Sequence, residues 1–168
     1  MKYFTENLNI DEARRHYYRL AMALHPDRGG STESMQELNS EYERYLISLN
    51  GRSFARNDKP GETYTFNFDE VKERELLAKI YQVIAANLQN VDCLLIGSWL
   101  WITGETKAIK DQIKVLGFSW HKDRECWFWH SGRWYGRQSR ASLAGLAHTY
   151  GASKVGLRAK DYGKQLEV

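Results

Sequence analysis

The chain has 168 residues, of which 42% are apolar and 27% charged, and its formal net charge at pH 7 is +3. This composition is typical of a folded globular protein rather than a disordered or fibrous one, and the length suits one ordinary domain or two small ones. No apolar run approaches the ~20 residues that span a bilayer, and the first residues lack the apolar core of a signal peptide. We therefore expect a cytoplasmic protein with no membrane partner.

Metal and enzyme chemistry have little support in the sequence. The two cysteines, Cys93 and Cys126, do not form a CxxC pair, so no zinc site of cysteine type is predicted and both thiols are expected to be free. His121 and His130 are a weak signal for a metal because nine residues separate them. No GxSxG, Walker or HExxH pattern is present, and we predict no cofactor, no metal and no enzymatic activity.

The first part of the chain predicts two amphipathic helices joined by a short loop. The first is predicted over residues 11–24, with Asp11 as its cap, because apolar residues recur there at helical spacing. Pro26 ends this helix, since the residue before a proline is displaced from helical geometry. The second helix is predicted to run to about residue 49, and its apolar residues share one face. Two such helices should pair antiparallel and bury both apolar faces.

The later elements predict helices that alternate with short strands. Residues 51–68 have the glycine and proline content of a linker, although their aromatic residues suggest that parts of it dock or form a short strand. A third helix is predicted over 69–87, and strand-like sequence over 91–103 bends at Gly97-Ser98 into a hairpin. The remaining predictions are a short helix, a second hairpin and a last helix, at 106–116, 118–130 and 142–150.

These elements predict an α+β protein in two parts. An N-terminal antiparallel helical hairpin occupies residues 1–50, a linker 51–68, and a small tryptophan-rich α+β domain 69–168. The end of the chain is basic, because residues 133–164 carry seven Lys or Arg and one acid. Such a tail can bind nucleic acid or another acidic surface, or it can simply be a solvated face.

The loop between the first two helices carries the most specific motif. It reads His25-Pro26-Asp27 and is followed by a basic residue and a Gly-Gly pair. The tripeptide alone is weak evidence, since His25 could merely end a helix and Asp27 cap a turn. In its context of two amphipathic helices, however, this part of the chain resembles the J domain of DnaJ-type co-chaperones. The matching sequence is YYRLAMALHPDRGGSTESMQELNSEY. The resemblance covers residues 2–50 and is greatest to short J proteins of bacteria, phages and mobile elements.

The resemblance implies a function and a set of binding residues. A J domain binds the ATPase domain of a DnaK-type chaperone, and the aspartate of its loop, here Asp27, couples binding to ATP hydrolysis in that partner. Pro26 would position the aspartate, which His25 flanks, and basic residues would supply electrostatic recognition. These basic residues are Arg14, Arg15, Arg19 and Arg28. The chain departs from the family at Tyr18 and Ala23, where many relatives are basic, which suggests a weaker or more selective contact.

The second half is marked by tryptophans at alternate positions. Trp99 and Trp101 should share one face of a strand, as should Trp127 and Trp129, and neighbouring strands would then crowd four indoles onto one surface. The favoured interpretation is an aromatic core, and the other is a platform on which bases stack. For a nucleic-acid or client contact, the candidate residues are Lys107, Lys110, Lys114, Arg133, Arg137 and Arg140. Residues 97–129 also resemble a segment often joined to such J domains in phage and mobile-element proteins, which implies no particular activity.

Two functions are therefore expected from the sequence. The first is a J-domain co-chaperone that stimulates a DnaK-type ATPase and whose C-terminal domain targets a specific, unknown protein client or complex. The alternative is a nucleic-acid-binding adaptor of phage or mobile-element type, which recruits the chaperone to a nucleoprotein complex. The expected partners are a DnaK-type chaperone, a protein client and, in the alternative, single-stranded nucleic acid.

Overall fold

A computed structural model describes residues 1–4, 7–56, 59–132 and 140–155. The chain divides into two compact units, with the division between Asp69 and Glu70. Helices and strands occur together, with two helices near the N-terminus and a sheet further along, so the fold is of the predicted α+β class. Within the described ranges, no helix combines the length and apolar character needed to cross a membrane.

The two helices of the first unit are α1, Ile10–Leu24, and α2, Thr32–Leu49. The predicted cap at Asp11 is wrong, because Asn9 caps α1 instead. The Asn9 side chain accepts a hydrogen bond from the backbone N–H of Glu12, and the Glu12 carboxylate accepts one from the N–H of Asn9. This reciprocal capping box satisfies two N–H groups that the helix leaves unpaired, and it needs a glutamate or glutamine three residues after the cap.

Aromatic residues pack α1 against α2. The rings of Tyr17 and Tyr42 are stacked with centroids 4.3 Å apart, and the Tyr17 hydroxyl donates a hydrogen bond of 2.6 Å to the Asn39 side chain. Tyr18 and Met22 are also buried, which the helical spacing of the smaller apolar residues had not indicated. The apolar face of α1 is thus broader than predicted, and this unit has an aromatic core.

The segment before α1 is fixed to α2 through one buried carboxylate. The backbone N–H groups of Tyr3 and Phe4 donate to the same oxygen of Glu41, at 2.7 and 3.0 Å, and Glu41 is only 4% exposed. Burial opposes ionisation of this carboxyl, but the hydrogen bonds from Phe4 and Tyr3 outweigh it and hold its pKa below the ordinary value. The Phe4 ring packs on Tyr42 and Tyr45.

Residues 51–68, predicted as a linker, contain a small hairpin. Strands β1, Ser53–Ala55, and β2, Thr63–Thr65, pair antiparallel, with Phe54 opposite Tyr64. The backbone of Phe66 continues the ladder, since it accepts a hydrogen bond from Gly51 at 2.8 Å and donates one to Arg52 at 2.9 Å. The aromatic residues of this stretch therefore mark a short sheet, which groups with the first unit.

The described residues of the second unit contain an antiparallel five-stranded sheet and three helices. The helices are α3 (Glu70–Ala86), α4 (Lys110–Val115) and α5 (Leu143–Tyr150), and the strands are β3 (Val91–Ile96), β4 (Trp99–Gly104), β5 (Ser119–His121), β6 (Cys126–His130) and β7 (Ala152–Val155). The order of the strands across the sheet is β5-β6-β4-β3-β7. Helix α4 begins four residues later than predicted, because turns precede it.

Each face of the sheet has its own apolar layer. Helix α5 packs through Leu143, Leu146 and Ala147 on the face that carries Trp101 and Cys126. On the opposite face, the Lys79 ammonium of α3 lies 5.4 Å from the centre of the Trp129 ring and donates a hydrogen bond to the carbonyl of Leu116. Leu100, Ile102 and Trp127 also lie on this opposite face and are almost fully buried, so the sheet buries apolar side chains on both faces.

Replacing Glu41 by glutamine should destabilise the first unit by about 1–3 kcal/mol at pH 7, because a charged, buried acceptor is lost. The difference from wild type should shrink as pH falls below about 4.3, the ordinary pKa of glutamate. A carboxyl whose pKa is lower in the folded state stabilises that state above its unfolded pKa and loses this effect on acidification. Amide hydrogen exchange of peptides from α1 and α2 measures this, and a difference that does not change with pH would contradict the role of the charge.

Candidate functional site

The His-Pro-Asp motif forms a single 3-10 turn, Pro26–Arg28, between the two helices of the first unit. Four hydrogen bonds close the loop. The carbonyl of His25 accepts from the N–H groups of Arg28 and Gly30, at 2.9 and 3.0 Å, and the His25 ring nitrogen Nδ1 accepts from the N–H of Asp27 at 3.2 Å. The carbonyl of Pro26 accepts from Gly29 at 3.1 Å. Because proline also restricts its own backbone rotation, the path of this loop is strongly constrained.

The loop presents the carboxylate of Asp27 to solvent. The side chain of Asp27 is 74% exposed, whereas that of His25 is 16% exposed, and a carboxylate oxygen of Asp27 lies 3.8 Å from Nδ1 of His25. The histidine is therefore the inner support of the turn and the aspartate its outer group. An exposed acid on a hydrogen-bonded backbone can bind a cationic group of another protein with little further ordering.

Glycine is required at the two positions after the turn for two different structural reasons. Gly29 has a φ of +91°, in the left-handed region that side chains other than hydrogen disfavour, and space around it is open. Gly30 lies so close to the backbone of Leu24 that a Cβ atom there would overlap the Leu24 carbonyl. The Gly-Gly pair thus lets the chain turn back against the end of α1.

The four predicted basic contacts are not equally available to a partner. Arg19 is exposed, and its guanidinium lies 2.8 Å from Nδ1 of His16. The Arg14 side chain is only 12% exposed and lies 3.5 Å from the carboxylate of Asp11. Arg15 and Arg28 are half-buried. The resemblance implied these residues but could not distinguish the solvated charge from the packed ones.

The prediction that neighbouring strands crowd four indoles onto one surface is wrong. In the pairing of β4 with β6, Trp101 is opposite Phe128 and Leu100 is opposite Trp129. Paired residues share a face, so Trp99 and Trp101 lie on one side of the sheet and Trp127 and Trp129 on the other. Trp101 and Trp127 are 3% and 6% exposed, which confirms the core interpretation for these two. Spacing within each strand was read correctly, but the register between strands could not be read from it.

The predicted nucleic-acid or client contacts are only partly described by the structure. Lys107, Lys110, Lys114 and Arg140 are exposed, and Lys114 lies 3.9 Å from Asp111 in a surface pair. Arg133 and Arg137 lie outside the described residues. Two exposed apolar side chains follow in the same part of the chain, Val115 at 88% and Trp120 at 47%.

Arg124 connects three parts of the second unit. Its guanidinium lies 2.6 Å from Nε2 of His121, donates two hydrogen bonds of 2.8 and 3.1 Å to the carbonyl of Ala141, and lies 5.2 Å from the centre of the Trp101 ring. Ala141 precedes Ser142, the N-cap of α5. Arg124 therefore joins the β5–β6 turn to the start of the helix that covers one face of the sheet, through hydrogen bonds and a cation–π contact.

Cys93, Cys126 and His130 of the second unit are packed against other residues of the fold. Cys93 and Cys126 are free and buried, and burial raises the pKa of both thiols, which disfavours the reactive thiolate. The His130 ring lies against Trp99, with centroids 4.3 Å apart. Among the described residues, no three potential His, Cys, Asp or Glu ligands come together as a metal would require.

Comparison with known proteins identifies no relative of this chain. No family model matches the sequence, and neither the curated proteins nor the solved structures provide a match. The functional interpretation therefore depends on the residues of the His-Pro-Asp loop and on their geometry.

Replacing Trp101 or Trp127 by alanine should lower the free energy of unfolding of the second unit by about 3–5 kcal/mol, since both indoles are buried. Trp120→Ala is the matched control and should cost much less, because this indole is already 47% exposed. All six tryptophans lie within residues 99–134, so tryptophan fluorescence during urea unfolding reports on this unit. Unchanged unfolding combined with lost binding to single-stranded DNA would contradict the core assignment.

Proposed function

We propose that this chain is a J-domain co-chaperone that binds a DnaK-type chaperone and stimulates its ATP hydrolysis. The observation that carries the proposal is the exposed carboxylate of Asp27, presented by a hydrogen-bonded His-Pro-Asp turn between two packed helices. In this proposal the chain is not itself an enzyme, because the ATP is bound and hydrolysed by the partner.

The contacts between the helices support an antiparallel hairpin, which a J domain requires. Tyr17, near the middle of α1, contacts Tyr42 of α2. Leu8, just before α1, exchanges two hydrogen bonds with the hydroxyl of Tyr45, at 3.0 and 2.9 Å. Leu8 is further along the chain from the His-Pro-Asp loop than Tyr17 is, and its partner Tyr45 is further from the loop than Tyr42 is. This arrangement places the His-Pro-Asp turn at one end of the pair.

The chemistry of the turn suits recognition of a charged partner. Its carboxylate is fixed by the backbone, so a cation on the chaperone can form a charge-assisted hydrogen bond without first ordering a flexible loop. The exposed Arg19 on the preceding helix adds an opposite charge, which steers an acidic surface of the partner toward the same region. We propose that docking through these two charges is what couples binding of this chain to hydrolysis by the chaperone.

We further propose that the second unit selects a protein client, in a reducing, cytoplasmic compartment. Two buried free thiols support the compartment, because oxidising surroundings favour disulfides. The choice of a protein client is supported by the division of the four indoles between two faces of the sheet, since the nucleic-acid alternative depended on a shared surface. Trp120 and Val115 are exposed apolar side chains that such a client could contact.

The test is single-turnover ATP hydrolysis by a purified bacterial DnaK in the presence of the full chain. Wild-type protein should raise the hydrolysis rate, and Asp27→Asn should return it to the basal value. The substitution removes one negative charge from a side chain that is 74% exposed, so it should leave the melting temperature unchanged.

The matched control is Asp111→Asn, which removes the same charge from a side chain that is 82% exposed in the second unit. This variant should stimulate hydrolysis as well as wild type does. Equal stimulation by wild type and Asp27→Asn, or no stimulation by wild type, would overturn the proposed function.

A further inference from the structure

A chain of hydrogen bonds connects the exposed Arg19 to the segment that precedes α1. The guanidinium of Arg19 lies 2.8 Å from Nδ1 of His16, and Nε2 of His16 lies 2.6 Å from the carbonyl oxygen of Tyr3. A carbonyl oxygen can only accept, so Nε2 carries the proton and donates. In the neutral ring, Nδ1 then has a free lone pair and accepts from the guanidinium. The two contacts therefore specify one tautomer of His16.

The far end of this chain is fixed as well. The backbone N–H of Tyr3 donates to the buried carboxylate of Glu41 at 2.7 Å, and the hydroxyl of Tyr3 donates to Glu37 at 3.2 Å. The Phe4 ring meets the His16 ring edge to face, with centroids 5.5 Å apart. Since Tyr3 and Phe4 are both held on α2, His16 is oriented by the packed part of the unit and not by solvent.

We infer that His16 is a positioning residue for partner recognition, which holds the guanidinium of Arg19 in place on the exposed side of α1. This inference rests on the proposed function and deepens it. A free arginine side chain samples many rotamers and loses that freedom when it binds. An acceptor that already restrains the guanidinium lowers this cost, so the partner meets a preorganised charge. The residue acts through Arg19 and need not contact the chaperone.

The experiment measures the affinity of the full chain for ATP-bound bacterial DnaK by biolayer interferometry. His16→Ala should weaken binding about two- to tenfold, the effect expected when one side chain must be ordered on binding. His16→Gln should restore most of the affinity, because its amide keeps a donor and an acceptor on a side chain of similar reach. Arg19→Ala should weaken binding at least as much as His16→Ala.

The double variant His16→Ala/Arg19→Ala separates positioning from a general structural role. If His16 acts through Arg19, its replacement has no further effect once Arg19 is absent. The inference is overturned if His16→Ala still lowers the affinity in the Arg19→Ala background. It is also overturned if a folded His16→Gln protein binds as weakly as His16→Ala does. Amide hydrogen exchange of α1 and α2 in each variant checks that the unit is folded.

Failure of the inference is distinguishable from failure of the proposed function. The proposed function is tested independently of His16, by ATPase stimulation with wild type and by the loss of that stimulation with Asp27→Asn. Stimulation that depends on Asp27, combined with no effect of Arg19→Ala, leaves the stimulation of the chaperone through Asp27 standing and overturns the roles of Arg19 and His16.

Discussion

The backbone N–H groups of Tyr3 and Phe4 both donate hydrogen bonds to one buried oxygen of Glu41, and the first unit is organised around this carboxylate. It fixes the segment before α1 on α2, which places Phe4 in the aromatic core and the carbonyl of Tyr3 against His16. The charge compensates the N–H groups that this short irregular segment would otherwise bury without partners. Because the same contacts hold the N-terminal segment against both helices, the loop between the helices begins and ends on a defined framework, and its acid is held exposed to solvent.

The second unit is stabilised in a different way. Its sheet has apolar residues on both faces, and Arg124 reaches from the β5–β6 turn to Trp101 and to the carbonyl of Ala141 at the start of α5. A single short helix with no fully buried residue covers part of one face, so this polar connection contributes where apolar burial is modest. The unit thus combines a tryptophan core with a hydrogen-bonded turn.

Local features of this structure were predictable from the sequence, and features set by distant contacts were not. The C-terminal ends of α1 and α2 followed from helical spacing and from Pro26, because both signals depend on neighbouring residues. The faces of Trp101 and Trp127 were assigned wrongly, since the register between strands is decided by packing of the whole sheet. Strand β7 was not predicted, and the role of Arg124 depends on Ala141, seventeen residues away. At the candidate site, the motif was visible but the unequal exposure of its arginines was not.

The central claim is that the His-Pro-Asp turn and the exposed side of α1 are the surface that meets the chaperone. It is tested most directly by the amide NMR spectrum of the isotope-labelled full chain during titration with ATP-bound bacterial DnaK. The account predicts that signals of residues 25–30 and those around Arg19 shift or broaden first, while those of the sheet from Val91 to His130 change little. Perturbation confined to the sheet, or a spectrum unchanged at saturating DnaK, would contradict it.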